Sequence, residues 1–261
     1  MSGDYHEHYR GGVRFVSPNG RLLRNLSLTL GQSIPSDFPF EGTVYVCAHA
    51  LFPETDEGVS LGIQTEQYYD ENGAKLWGDV PDQNISQMFD RYDHVLDWSY
   101  ANKGRYEGLT QGDRLHFGPW VFPNEQVQFV PGDAPFVFFG NMAERRRSVL
   151  RELAERVRID ILPKGSFGEV LSEAIRDSQG ILNVHFDNGI YSEVPRILTA
   201  YHAGKAVVSE PLAQPFEAGK HYIPLDDPYS FNPEEIFRNM EKLAARYRFA
   251  EFLKKIFPPA G

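Results

Sequence analysis

The stretch ILNVHFDNGIYSEVPRILTAYHAGKAVVSE, residues 181–210, constrains this chain more than any other. The apolar run ILNVHF (181–186) reads as a buried strand, and the DNG that follows supplies a polar turn. A helix is expected to open near Ser192–Glu193. Ser192 is its natural N-cap, Glu193 lies in the positive field of the helix start, and Pro195 suits an early helical position. Gly204 stops the helix. A second apolar strand then ends abruptly on the charged Glu210. A helix N-terminus offers free N–H groups and partial positive charge, so it suits a phosphate. Open α/β sheets bind ligands where strands end and helices begin.

The same rhythm runs through the rest of the chain. In the first half GVRFVSP (12–18), TVYVCAHALF (43–52), VSLGIQTEQ (59–67), HVLDWS (94–99) and LHFGPWVFP (115–123) read as strands. NGRLLRNLSLTL (19–30) and NISQMFDRYD (84–93) read as helices. The proline-rich PNEQVQFVPGDAP (123–135) breaks the pattern and is the expected connection, dividing residues 1–130 from 131–261. Beyond it come the strand PFVFFG (135–140) and the periodic helix MAERRRSVLRELAERV (142–157), with a stripe at Val149, Leu150, Leu153 and Val157. RIDILP (158–163) is a strand, GEVLSEAIRDSQ (168–179) a helix, and residues 233–257 a long helical region expected to cross back to the first domain. Strands alternating with helices imply parallel sheets with crossover helices. The fold class expected is α/β, as two small Rossmann-like domains facing across a cleft.

Composition narrows the function. A net charge of −10 disfavours a non-specific binder of nucleic acid or of anionic membranes, both polyanions. No apolar run approaches the roughly 20 residues that span a bilayer. The opening MSGDYHEHYRGG lacks the features of a secretory signal. A single cysteine, Cys47, fits a reducing compartment. The expectation is a cytoplasmic protein without stable membrane insertion.

Gly140 and Asn141 follow the PFVFF strand, where a glycine lets backbone approach a ligand. Arg145, Arg146 and Arg147 then crowd a helix start whose dipole opposes cations, an arrangement that asks for an anion. Glu193 and Arg196 share one helix face, and Tyr191 and Ser192 flank them. The loop KGSFG (164–168) lacks the spacing of a phosphate loop. In the first half, His49, Glu66 and Asp97 each lie near an expected strand end, where a general base could serve a substrate. Tyr68, Tyr69, Trp77, Trp98, Tyr100 and Tyr106 offer rings on which a ligand could stack. A metal site is not expected: His6 and His8 form an H-x-H pair in a polar tail without a third ligand.

In order and spacing, several of these pieces resemble the type-B glycosyltransferases of bacteria and viruses. They are FFGNMAERRRSVLREL (138–153), ILNVHF and SEVPRILTAYHAGKAVVSE within 181–210, GIQTEQ (62–67) and HVLDWSYAN (94–102). The resemblance implies transfer of a sugar from a nucleotide-diphosphate sugar, in the first instance UDP-linked, to an acceptor that the sequence leaves open. Glycans, lipids, small molecules, proteins and modified nucleic-acid bases all qualify. It further implies no metal and no separate cofactor, with Arg145 or Arg146 and Arg196 on the diphosphate and Glu193 on the ribose hydroxyls. His185 falls near the sugar, Lys164 to Phe167 near the base, Glu210 in the same crevice, and Asn102 along the cleft. Retaining members pair two glutamates, whereas the slot for the second holds Thr199 here. An epimerase of the same fold and a non-catalytic nucleotide- or partner-binding domain are the alternatives.

Overall fold

The computed structural model describes residues 5–50, 58–69, 82–106, 108 and 113–260. The chain divides into two compact units, Met1–Glu125 with Ala245–Gly261, and Gln126–Ala244. No helix among the described residues is long and apolar enough to cross a membrane.

The first unit is built on β1 (Tyr5–Arg10), β2 (Val13–Pro18), α1 (Arg21–Gln32), β3 (Gly42–Val46), β4 (Ser60–Gln64), α2 (Asp82–Arg91), β5 (His94–Asp97) and β6 (Leu115–Phe117). Its sheet runs β1-β2-β3-β4-β5-β6. Strands β2 to β6 are parallel, as the strand–helix rhythm implies. The N-terminal segment corrects the expectation of a polar tail. It forms an antiparallel edge strand against β2, pairing Tyr5 with Pro18 through Arg10 with Val13, so the sheet is mixed. His8 stacks on Phe15 at 4.9 Å, and burial pushes its pKa down to about 4.

Strand β3 is shorter than its apolar run because the backbone turns at Cys47, whose φ is +74°. Strand register sorts the two faces. Val16, Tyr45, Gly62 and Val95 lie in one row, and Val16, Tyr45 and Val95 pack with Ile85, Met88, Phe89 and Tyr92 around α2. Gly62 is required there, since a Cβ would sit 2.5 Å from the Tyr92 ring.

The second unit holds β7 (Phe136–Phe138), α3 (Glu144–Leu153), β8 (Ile159–Ile161), α4 (Glu169–Arg176), β9 (Ile181–Asn183), α5 (Val194–His202), β10 (Val207–Ser209), β11 (Ile223–Pro224) and α6 (Pro233–Ala244). Its sheet is wholly parallel, in the order β11-β10-β9-β7-β8. Phe136, Phe138, Leu182 and Val208 share one face with Leu150 and Leu153 of α3. Alternation turns Asn183 to the other face, where it meets α5 through Arg196. The chain leaves β7 towards β8 and later returns to β9 on the other side of β7. The carboxyl ends of β7 and β9 therefore form a topological switch point, where such sheets open a crevice.

The expected long terminal helix is two helices, α6 and α7 (Phe249–Ile256). Helix α7 belongs to the first unit, with the Phe249 ring 6.4 Å from Phe15 and the Phe252 ring 5.1 Å from His116.

Candidate functional site

At the switch point two arginines reach one glycine from opposite faces of the sheet. Gly140 follows β7 with φ +136°, a conformation that L-residues avoid. A Cβ there would lie 3.1 Å from Nη2 of Arg196 and 3.5 Å from Nη1 of Arg146. Arg146 comes from the first turn of α3 and is buried. Its Nε donates to Val184 O at 2.8 Å, its Nη1 to Asn141 O at 2.8 Å, and its guanidinium lies over the Phe138 ring at 5.7 Å. Burial and the nearby Arg196 charge push its pKa down to about 10, so it stays cationic at neutral pH.

Arg196 comes from α5 and is only 7% exposed. It donates to Asn183 Oδ1, to Glu193 Oε2 at 3.3 Å and to Phe139 O at 3.2 Å. Its buried Nε has no hydrogen-bond partner in the structure. A buried guanidinium N–H left unmatched is costly, and the usual remedy is an acceptor supplied by a ligand or water.

The crowding of cations at the α3 start is met from within the chain. Arg145 forms a forked ion pair with Glu210 and also donates to His185 O at 3.0 Å and to Asn188 Oδ1 at 2.9 Å. Hydrogen bonding to Glu210 holds its pKa above the usual arginine value. The Glu210 carboxylate accepts a further bond from the His185 backbone N–H at 2.6 Å. Arg147 is exposed and faces Glu144 at 3.9 Å.

Glu193, not Ser192, is the residue at the N-cap of α5. It adopts a left-handed conformation, φ 44° and ψ 32°, and its side chain does not cap the helix. Instead Oε1 meets His185 Nδ1 at 3.2 Å and Oε2 meets Arg196. Burial pushes the Glu193 pKa up, but the Arg196 charge, the His185 bond and Arg146 outweigh it and hold it at about 2. His185 is buried, with Nε2 2.8 Å from Pro211 O and the ring 4.9 Å from Tyr191. An imidazole flanked by a carbonyl and a carboxylate is fixed in orientation. Burial raises the Tyr191 hydroxyl to about 12.

The structure thus gathers Gly140, Asn141, Arg145, Arg146, His185, Tyr191, Glu193, Arg196 and Glu210 at one sheet edge, with Ser192 buried beside them. Three guanidinium groups meet the carboxylates of Glu193 and Glu210, and the Asp187 charge acts on Arg145 from nearby. Lys164 lies outside this cluster, exposed on the turn after β8 where Ser166 Oγ donates to Pro163 O. Asn183 escaped the sequence reading, though an asparagine inside an apolar strand is itself a signal. Its Nδ2 donates to Ser209 Oγ at 2.8 Å while its Oδ1 receives Arg196. Among the described residues no group of three or more His, Cys, Asp or Glu is placed to hold a metal ion.

In the first unit His49 and Glu66 follow β3 and β4, and Asp97 ends β5, at the carboxyl edge of that sheet. His49 pairs Nδ1 with Gln64 Oε1 at 2.7 Å and has Nε2 3.4 Å from Cys47 Sγ. Asp97 is fully buried and accepts from Tyr106 Oη at 2.6 Å, Asn102 Nδ2 at 2.9 Å and the Ser99 N–H at 2.7 Å. Asn102 in turn receives the N–H of Tyr68 at 2.7 Å and donates to Glu66 O at 3.0 Å. A proton acceptor for a substrate must be reachable, and Asp97 is enclosed. The geometry makes Asp97 a support for the Glu66–Tyr69 segment. Of the candidate stacking rings, Tyr68, Trp98 and Tyr106 are buried in the core, and Trp77 lies outside the described residues.

Compared with known proteins, the chain matches no family model and no curated relative.

Proposed function

We propose that the protein is a glycosyltransferase of the type-B kind. It moves a sugar from a nucleotide-diphosphate sugar, UDP-linked in the first instance, to an acceptor hydroxyl. The convergence of Arg146 and Arg196 on Gly140 at the switch point carries this reading. Two fixed guanidinium groups beside an open glycine backbone suit a diphosphate, whose charge grows as it leaves. In the reaction the bond between the sugar's anomeric carbon and the diphosphate oxygen breaks, and the electron pair goes to the diphosphate facing the arginines. A new bond forms from the acceptor oxygen, whose proton passes to a base. The preorganised cations would supply positive charge without a metal. Glu193, held ionised, would accept the ribose hydroxyls on exchanging its internal partners.

Incubation with UDP-, GDP-, dTDP- and CMP-linked sugars and panels of acceptors tests the reading. The expected result is acceptor-dependent release of nucleotide with a glycosylated product in the mass spectrum. Conversion of donor to an epimer alone, with every acceptor inert, would replace transfer with epimerisation. Failure to bind any nucleotide would end both.

A further inference from the structure

Phe186 is an apolar ring held open to solvent at the mouth of the arginine site. It is 43% exposed, although its neighbours Val184 and His185 are buried. Its loop is anchored to the arginine cluster. Arg146 Nε holds Val184 O at 2.8 Å, Arg145 Nη1 holds His185 O at 3.0 Å, and Arg145 Nε holds Asn188 Oδ1 at 2.9 Å. The two arginines thus hold the backbone just before residue 186 and the Asn188 side chain just after it. The Arg146 guanidinium lies 5.4 Å from the Phe186 ring centre and 5.7 Å from that of Phe138. One cation is therefore shared by a buried ring and an exposed one.

We infer that Phe186 is a stacking platform for the nucleobase of the bound nucleotide, a subsite that rests on the donor reading above. A purine or pyrimidine brings a flat π face, and stacking of bases on aromatic side chains is favourable and tolerant of base identity. The cation beside the ring adds to such a stack. Its closeness to Arg146 sets the platform beside the groups proposed for the diphosphate, so one nucleotide can touch both. This assigns the base to the loop after β9 in place of the Lys164–Phe167 loop after β8.

Titration of the full chain with UDP, GDP and inorganic pyrophosphate by calorimetry separates the possibilities. Phe186→Ala should weaken UDP and GDP about tenfold and leave pyrophosphate unchanged, and Phe186→Trp should restore or improve nucleotide binding. Because the ring is exposed, the melting temperature of Phe186→Ala should match that of the parent, which excludes misfolding as the cause. Unchanged UDP and GDP affinity in Phe186→Ala, with loss in Lys164→Ala, overturns the platform and leaves the donor reading intact. Equal weakening of pyrophosphate and nucleotides also overturns it, since Phe186 would then act on the arginines alone. If the parent protein binds none of the three, the platform and the donor reading fall together.

Discussion

Arg196 shows how one side chain serves fold and site together. It joins Asn183 of β9, Glu193 at the head of α5 and Phe139 O after β7. Removing one partner of a buried ion pair leaves the other uncompensated, at a cost of about 3–5 kcal/mol. Arg196→Ala should therefore lower the unfolding free energy of the second unit by about that amount, read by chemical denaturation. A change below about 1 kcal/mol would mean that Glu193 and Asn183 find other partners. Glu193 provides a test by pH. Its folded pKa of about 2 lies below the ordinary glutamate value of 4.5, so the unfolded chain takes up the proton first. The stabilisation is present above pH 4.5 and is lost as pH falls towards 2. Glu193→Gln should flatten that acid limb in melts of the protein; an unchanged limb would show that other carboxylates carry it. Gly140→Ala combines a disfavoured φ with close approach to two guanidinium groups, and should lose pyrophosphate affinity at least tenfold.

Among elements, the strand ends matter more than the strands. In the first unit the short segment after β4 is held by Asn102 at several backbone groups, with Gln64 Nε2 also donating to Glu66 O at 3.2 Å, and Asn102 is held by Asp97. Asn102→Ala should expose the Tyr68 N–H, measured as faster amide exchange at Tyr68 with the strand amides of β4 still protected. Equal loss of protection across β4 would instead show that the whole sheet depends on Asn102. Burial pushes the Asp97 pKa up to about 7, although Tyr106, Ser99 and Asn102 donate to it. A raised carboxyl pKa means that the folded state holds the proton longer. Its contribution to stability should decline as pH rises from about 4 through 7. In the second unit α3 and α5 approach the switch point from opposite faces because the order in which strands are added reverses at β7. That reversal, and not either helix alone, puts Arg146 beside Arg196.

At the scale of the molecule, the last residues complete the first unit. Phe249, Phe252 and Leu253 are buried, and each contributes about 1.5–3 kcal/mol through its apolar surface. Deleting residues 245–261 should unfold the first unit while the second keeps its protected amides. Cooperative loss of both would show that neither unit is stable alone. Much of the architecture was readable in the chain. The apolar runs and helical periods located most strands and helices, and Gly140, the arginine cluster and the 181–210 unit pointed to the switch-point cluster. The reading failed where local pattern is weak. β1 is polar because an edge strand has one partner, and β3 stops early because Cys47 takes a positive φ that composition does not announce.

The sequence by itself determined where most of the strands and helices lie, since hydrophobic period is a local property written in neighbouring residues. It also determined that cations crowd the start of α3. Only the tertiary structure decided how those cations are matched. Glu210 is 65 residues beyond Arg145, and Arg146 and Arg196 meet at Gly140 only because strand order brings distant ends together. The left-handed turn at Glu193 and the open ring of Phe186 are likewise consequences of that packing. Long-range pairing depends on which surfaces become adjacent after the sheet forms, and no spacing along the chain encodes that directly.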